Sequence, residues 1–368
     1  MKKVISIIAI SLILLLVTVT LVTPALAGSK GIQDKAIQIT TNPRYDRNPS
    51  LFKAADSTYW LFFTRGRNPI GIRGVDGYDP DSDSYDVYYK TAKSIPGLQR
   101  SAEQLLPGSN LVTDNAQRDV TTFQASDGTI WVFTSSGYAS STNPYVLYYK
   151  FDGAAWSGPT QIPGTWDAGH INALEYDGKI WVFFDAWSYI LKVTYWDSDV
   201  SSWSSPVHIS DNASIAKAIV YQDTFYVVWS YVENNVSYGP YIGLSTSEDG
   251  AVWTNHGEIA SWQGGTNWDP VLIKDNKVFR LFWAPDAGVE GQFIATSTAT
   301  NPTDPDSWSA PVKLTIANYD TGSWWDFWPQ PYYDGLTYLA YTSERNSSGT
   351  SMNDGNIWLM HVTAPLTR

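Results

Sequence analysis

The feature that most constrains this chain is a pattern repeated six times along its 368 residues. Each copy runs from an apolar strand through a tight turn to an aromatic-rich strand, then through a loop to a third alternating strand. The first half of the pattern reads RNPSLFKAADSTYWLFFTRG (47–66), RDVTTFQASDGTIWVFTSSG (118–137) and GHINALEYDGKIWVFFDAWS (169–188). It returns as AKAIVYQDTFYVVWSY (216–231), WDPVLIKDNKVFRLFWAPD (268–286) and WPQPYYDGLTYLAYTSE (328–344). Four strands per unit at spacings of roughly 50–70 residues fit the blades of a β-propeller rather than a helical solenoid. The expected fold is therefore all-β: a six-bladed β-propeller of four-stranded antiparallel blades.

Short fourth strands complete most units, as WSGPTQI (156–162), WSSPVHI (203–209), WTNHGEI (253–259) and WSAPVKL (308–314), with a degenerate AEQLLPG (102–108) in the first. The sixth unit stops after its third strand, NIWLMHVTA (356–364). KAIQITT (35–41) at the other end supplies the missing strand, so an N-terminal strand completing the last blade would close the ring and remove exposed sheet edges. Aromatic residues make up 15% of the chain, which suits pleated sheets packed face to face. Trp131, Trp156 and Trp181 are expected to pack between blades.

At the N-terminus, Lys2 and Lys3 precede an apolar run from Val4 to Val22, and Ala25-Leu26-Ala27 has the form of a cleavage signature before Gly28. Residues 1–27 read as a signal peptide, with a signal anchor as the alternative, and 28–368 as one propeller domain. A secreted or cell-surface protein is expected. With no cysteine, its stability must come from sheet packing and ring closure. The formal charge is −12, and becomes −14 without Lys2 and Lys3. So acidic a chain lacks the basic counter-charge that phosphate backbones require, which argues against nucleic acid as a partner.

Propeller topology predicts where a site should lie. Tight turns such as Asp127-Gly128, Asp177-Gly178 and Asp334-Gly335 belong to one face of the ring, and the longer loops belong to the other. The channel mouth on the long-loop face is ringed by residues at the starts of the innermost strands: Arg47, Asn48, Arg118, Asp119, His170, Asn172, Lys217, Trp268, Asp269, Asp326 and Trp328. Carboxylates and amides bond hydroxyls, and indole faces stack on sugars, so this set points to a glycan or polysaccharide. Asp119, Asp269 and Asp326 are the candidate catalytic carboxylates, because glycoside hydrolysis needs a pair about 5–10 Å apart with one proton donor. Asp79, Asp81 and Asp83 form a weaker acidic cluster that suits a structural Ca²⁺, although Ser84 stands where an EF-hand-like loop has glycine. No other cofactor is expected.

Ser247-Glu248-Asp249-Gly250-Ala251-Val252-Trp253 is close to a Ser-x-Asp-x-Gly-x-Thr-Trp box, one residue shorter, and Asp152-Gly153-Ala154-Ala155-Trp156 is a partial copy in the second blade. On these residues the chain resembles the sialidase-like propellers with bacterial neuraminidase (Asp-box) repeats. The resemblance implies that the boxes lie opposite the ligand face, and that Arg47, in Arg47-Asn48-Pro49-Ser50-Leu51, clamps a carboxylate. That family also uses two more arginines, a tyrosine nucleophile with a glutamate partner, and an aspartate acid/base. The entries to the fourth, fifth and sixth blades carry Lys217, Asp269 and Trp328 instead. Five-bladed arabinanase-type glycosidases share the Asp-Gly-x-x-Trp turn but place an aspartate where this chain has Asn48. The expected function is an exported, carbohydrate-recognising propeller. A glycoside hydrolase at the same mouth is the alternative, and a structural cell-envelope protein a further one.

Overall fold

Each repeat unit folds as one antiparallel sheet, because its alternating apolar residues can be covered on both faces only by neighbouring sheets. A computed structural model describes residues 36–67, 85–111, 117–136, 144–186, 188–233, 237–287, 291–315, 325–344 and 355–362. After β1 (Ile37–Gln38), the first blade comprises β2 (Asp46–Lys53), β3 (Tyr59–Gly66), β4 (Tyr85–Ala92) and β5 (Gln104–Leu105). The second holds β6 (Gln117–Gln124), β7 (Ile130–Ser136), β8 (Tyr145–Phe151) and β9 (Trp156–Gln161). The third holds β10 (Ala168–Tyr176), β11 (Lys179–Ala186) and β12 (Leu191–Asp197), with its outer strand split into β13 (Ser202–Trp203) and β14 (Val207–Ser210).

The fourth blade is β15 (Ala213–Tyr221), β16 (Thr224–Glu233), β17 (Ser237–Ser247) and β18 (Thr254–Ala260). The fifth is β19 (Thr266–Asp275), β20 (Val278–Asp286), β21 (Ala295–Ala299) and β22 (Val312–Lys313). The sixth has β23 (Asp326–Tyr333), β24 (Thr337–Ser343) and β25 (Asn356–Val362), and β1 is its fourth strand. Ile37 pairs with Leu359 and Gln38 with Trp358, so the ends of the chain close the ring as the repeat predicted. Lys90 of the first blade reinforces this clasp by donating to the Ile39 carbonyl at 3.0 Å.

Aromatic rings fill the gaps between blades. Trp156 meets Trp60, Phe62 and Tyr89 of the first blade, with ring centroids 5.8–6.4 Å apart. Trp131 packs into the cluster of the third blade, and Trp181 lies 4.8 Å from Phe225 of the fourth. Truncating a buried indole of this kind to alanine costs about 3–5 kcal/mol. The acidic cluster Asp79, Asp81 and Asp83 and the N-terminal run both lie outside the described residues. Among the described residues no helix is long and apolar enough to cross a membrane, and no group of three potential ligands could hold a metal ion.

Candidate functional site

Every innermost strand is interrupted by the same bulge close to its start. The register slips between Arg47 and Ser50, Arg118 and Thr121, Ala168 and Ile171, Ser214 and Lys217, Trp268 and Val271, and Phe327 and Gln330. The first bulge residues are therefore structural equivalents: Asn48, Asp119, Gly169, Ile215, Asp269 and Trp328. Five of them are left-handed, with φ of 51° at Asn48, Asp119, Asp269 and Trp328 and 52° at Ile215. Asn and Asp tolerate that region, whereas a β-branched or bulky residue there is strained. Ile215 and Trp328 are thus held against their preference at the channel mouth, where such strain tends to collect.

The bulges turn their side chains into one pocket, lined by Asn48, Asp119, His170, Lys217, Asp269 and Trp328 together with Ile215, Gln330 and three neighbouring apolar residues. Asn48 Nδ2 donates to Asp119 Oδ1 in a short contact, and His170 Nε2 lies 4.0 Å from Asp119 Oδ2. Across the pocket the Trp328 amide donates to Asp269 Oδ2 at 3.2 Å. The other oxygen of Asp269 is buried and has no hydrogen-bond partner among the described residues. Burial pushes this carboxyl up to about 6, with Asp119 adding to the rise and the Trp328 amide, His170 and Lys217 opposing it. Lys217 donates to the Ile171 carbonyl at 2.9 Å. Its ammonium is held below the ordinary lysine range by burial, against the pull of Asp119, Asp269 and Asp185.

Six residues expected from the sequence thus meet in one pocket, and the other described ones do not line it. Arg47 stands behind the pocket wall, with its guanidinium 3.8 Å above the Trp328 ring and 5.3 Å from that of Tyr85. Arg118 is buried to 3% exposure. Asn172 works as a staple between blades: its carbonyl accepts from the Ala218 amide at 2.8 Å and its amide reaches Thr121 at 3.5 Å. Trp268 turns its indole N–H to Thr266 at 2.6 Å. Asp326 precedes its bulge by two residues and is almost fully buried, 1% exposed.

Two features escaped the sequence reading. Tyr45 donates to Glu344 Oε1 at 2.7 Å within a buried cluster that includes Tyr85 and Phe327. Burial first, and then Glu344, pushes that phenol well above its ordinary range. The second is Asp185 on β11, opposite the third-blade bulge, where the equivalents are Phe63, Thr134, Trp229, Trp283 and Tyr341. A lone aspartate where the other blades carry aromatic rings or threonine was the available signal.

On the opposite face, Asp249 Oδ1 accepts from the Ala251 and Val252 amides at 2.8 and 2.9 Å, and the Trp253 indole donates to Gly250. Asp152 caps the equivalent second-blade turn through Ala154 and Ala155. These box-like segments are self-satisfied turns remote from the mouth.

No protein-family model matches the chain, and no curated protein matches it either. Solved structures do. A protein of unknown function from Dyadobacter fermentans superposes with a TM-score of 0.63 at 15% identity, over 89% of this chain and 98% of that one. The NanB sialidase of Streptococcus pneumoniae gives 0.60 at 9% identity, over 88% of this chain and 69% of the enzyme. The chain has the sialidase-like six-bladed β-propeller fold. The Trypanosoma rangeli sialidase in complex with sialic acid gives 0.57 at 10% identity, and this sialidase-like propeller spans only 54% of that enzyme's length. At these identities the likeness is one of fold.

Proposed function

We propose that this sialidase-like propeller is an exported protein that takes a glycan at the channel mouth and hydrolyses a glycosidic bond there. The observation that carries the reading is Asp269: a buried carboxyl, poised near pH 6, with one bare oxygen in the same pocket as a second carboxylate. A group of that kind can hold a proton close to neutrality and pass it to the glycosidic oxygen as the C–O bond breaks; water then adds to the anomeric carbon and returns a proton to the same carboxylate. Asp119, fixed by Asn48 and facing His170, supplies the negative charge that the developing positive charge on the sugar needs. Trp328, with Arg47 packed on its ring, forms an apolar wall. The cations near the pocket already face carboxylates, which favours an uncharged sugar over an acidic one. Non-hydrolytic glycan binding is the second reading, favoured because both Asp119 oxygens already have neighbours.

The test is to incubate the mature protein with a panel of plant and bacterial polysaccharides while measuring binding and reducing-end release. Product is expected, with a rate that falls as pH rises through about 6 and Asp269 loses its proton. Asp269→Asn is expected to lower the rate by about 10²–10⁴-fold while leaving binding intact. Retention by a polysaccharide with no product from the wild type would sink hydrolysis and leave the binding reading standing.

A further inference from the structure

We propose that Asp185 is the positioning residue of the mouth: it locks the bulges of the third and fourth blades together and aims the Nε2 edge of His170 at Asp119. Its carboxylate is buried, 3% exposed, and gathers donors from both blades. On the third blade these are the His170 backbone amide and the His170 Nδ1 edge at 3.0 Å. On the fourth they are the Ser214 hydroxyl, in a short contact, and the Ile215 amide at 3.2 Å. Ile215 is the β-branched residue held at φ 52°, and its amide reaches Asp185 from that backbone conformation. One carboxylate thereby takes an amide from each of two bulges, where the ladder is interrupted, and holds the least tolerant of the left-handed residues in place.

The orientation of the imidazole follows. With the Nδ1 edge engaged by Asp185, the opposite nitrogen faces Asp119 Oδ2 at 4.0 Å. The groups turned toward this ring are Asp185 from β11, Asp119 from β6, Asp269 from β19 and Ser214 from β15, and Lys217 of β15 lines the same pocket. Burial works against a charge on His170, but Asp185, Asp119 and Asp269 outweigh it and raise the imidazole to about 9. Asp185 is in turn held below the usual carboxylate range, against burial, by His170 and Ser214. His170 is therefore a fixed cation at neutral pH, and Asp269 is the group of the pocket that gains and loses its proton near pH 6. That last assignment of roles rests on the hydrolase reading; the Asp185 lock does not.

The experiment is an NMR titration of the histidine ring signals in the mature protein, with no substrate present. The chain has four histidines, so His170 is assigned by the signal lost in His170→Gln. In the wild type His170 is expected to titrate near 9, with both ring nitrogens protonated at neutral pH. Asp185→Asn is expected to bring it down to about 7 or below, since removing a contacting carboxylate removes the main source of the rise. A purely packing role for Asp185 would leave the titration where it was, and that result overturns the proposal. If Asp185→Asn does not fold, the wild type decides alone: titration at or below 6.5, the ordinary value for histidine, overturns it. Absence of product in the polysaccharide assay would sink hydrolysis and leave this titration readable.

Discussion

Two buried aspartates in this propeller sit at the same acidity and do different work. Burial pushes Asp46, beside the clasp, and Asp269, at the mouth, each up to about 6. Asp46 spends both oxygens on the Arg65 guanidinium, at 2.5 and 2.7 Å, and Arg65 reaches on to Glu103 at 2.6 Å. Burial opposes the charge on Arg65, but Asp46 and Glu103 hold it firmly protonated. Asp269 keeps one oxygen without a partner among the described residues, in a pocket. A raised pKa alone therefore does not mark a site. The distinguishing feature is a polar atom left unsatisfied where a ligand can reach it, because an unpaired buried acceptor is costly unless something binds it.

The same substitution should separate the two most sharply. Asp46→Asn no longer buries the Asp46 charge, but it leaves Arg65 buried without its main counter-charge, and that outweighs the relief: breaking such a pair costs about 3–5 kcal/mol. Urea unfolding at pH 7.5 should show that loss. A variant as stable as the wild type would mean that Arg65 finds other partners and that the clasp network is not structural.

Asp269→Asn should do the opposite. Its carboxyl holds a proton more tightly folded, at about 6, than at its ordinary 3.8. Stability from this group is therefore greatest at low pH, falls as pH rises from about 4 to about 6, and stays low above that. Asparagine resembles the protonated form at every pH and can still accept from the Trp328 amide. The variant is expected to gain up to about 3 kcal/mol at pH 7.5 and almost nothing at pH 4, since each tenfold change in proton affinity is worth about 1.4 kcal/mol. Melting curves at both pH values check it. Loss of stability at pH 7.5 would show that His170 and Lys217 need the charge on Asp269 more than burial penalises it.

The repeat made the blades and the clasp legible because period-two alternation, turn chemistry and strand count are all local signals. The mouth was only half legible. Asn48, Asp119, His170, Lys217, Asp269 and Trp328 were found because they stand near strand entries, but their equivalence was hidden. A bulge adds one residue to one strand and reverses which side chains face the channel, so Trp268 and Asp326 looked as well placed as Asp269 and are not. Asp185 was hidden for another reason. It lies in WVFFDAW, a strand that reads as core, and its role depends on Ser214 and Ile215 of a different blade.

The smallest effect sharpens the comparison from the clasp side. Glu103 is 23% exposed and binds an Arg65 already gripped by Asp46. Glu103→Gln should therefore cost only about 0.5–1 kcal/mol, the range of a solvent-touched ion pair. Glu103 also adds to the rise in the Asp46 pKa, so its neutralisation should move that value downward. A carbon-detected titration of the aspartate carboxyls reads that change directly. Asp269, whose pKa is raised by burial and Asp119, should not move in the same variant. If the two aspartates moved together, the clasp and the mouth would be one coupled network, and the contrast between a satisfied pair and a bare carboxyl would no longer separate structure from function.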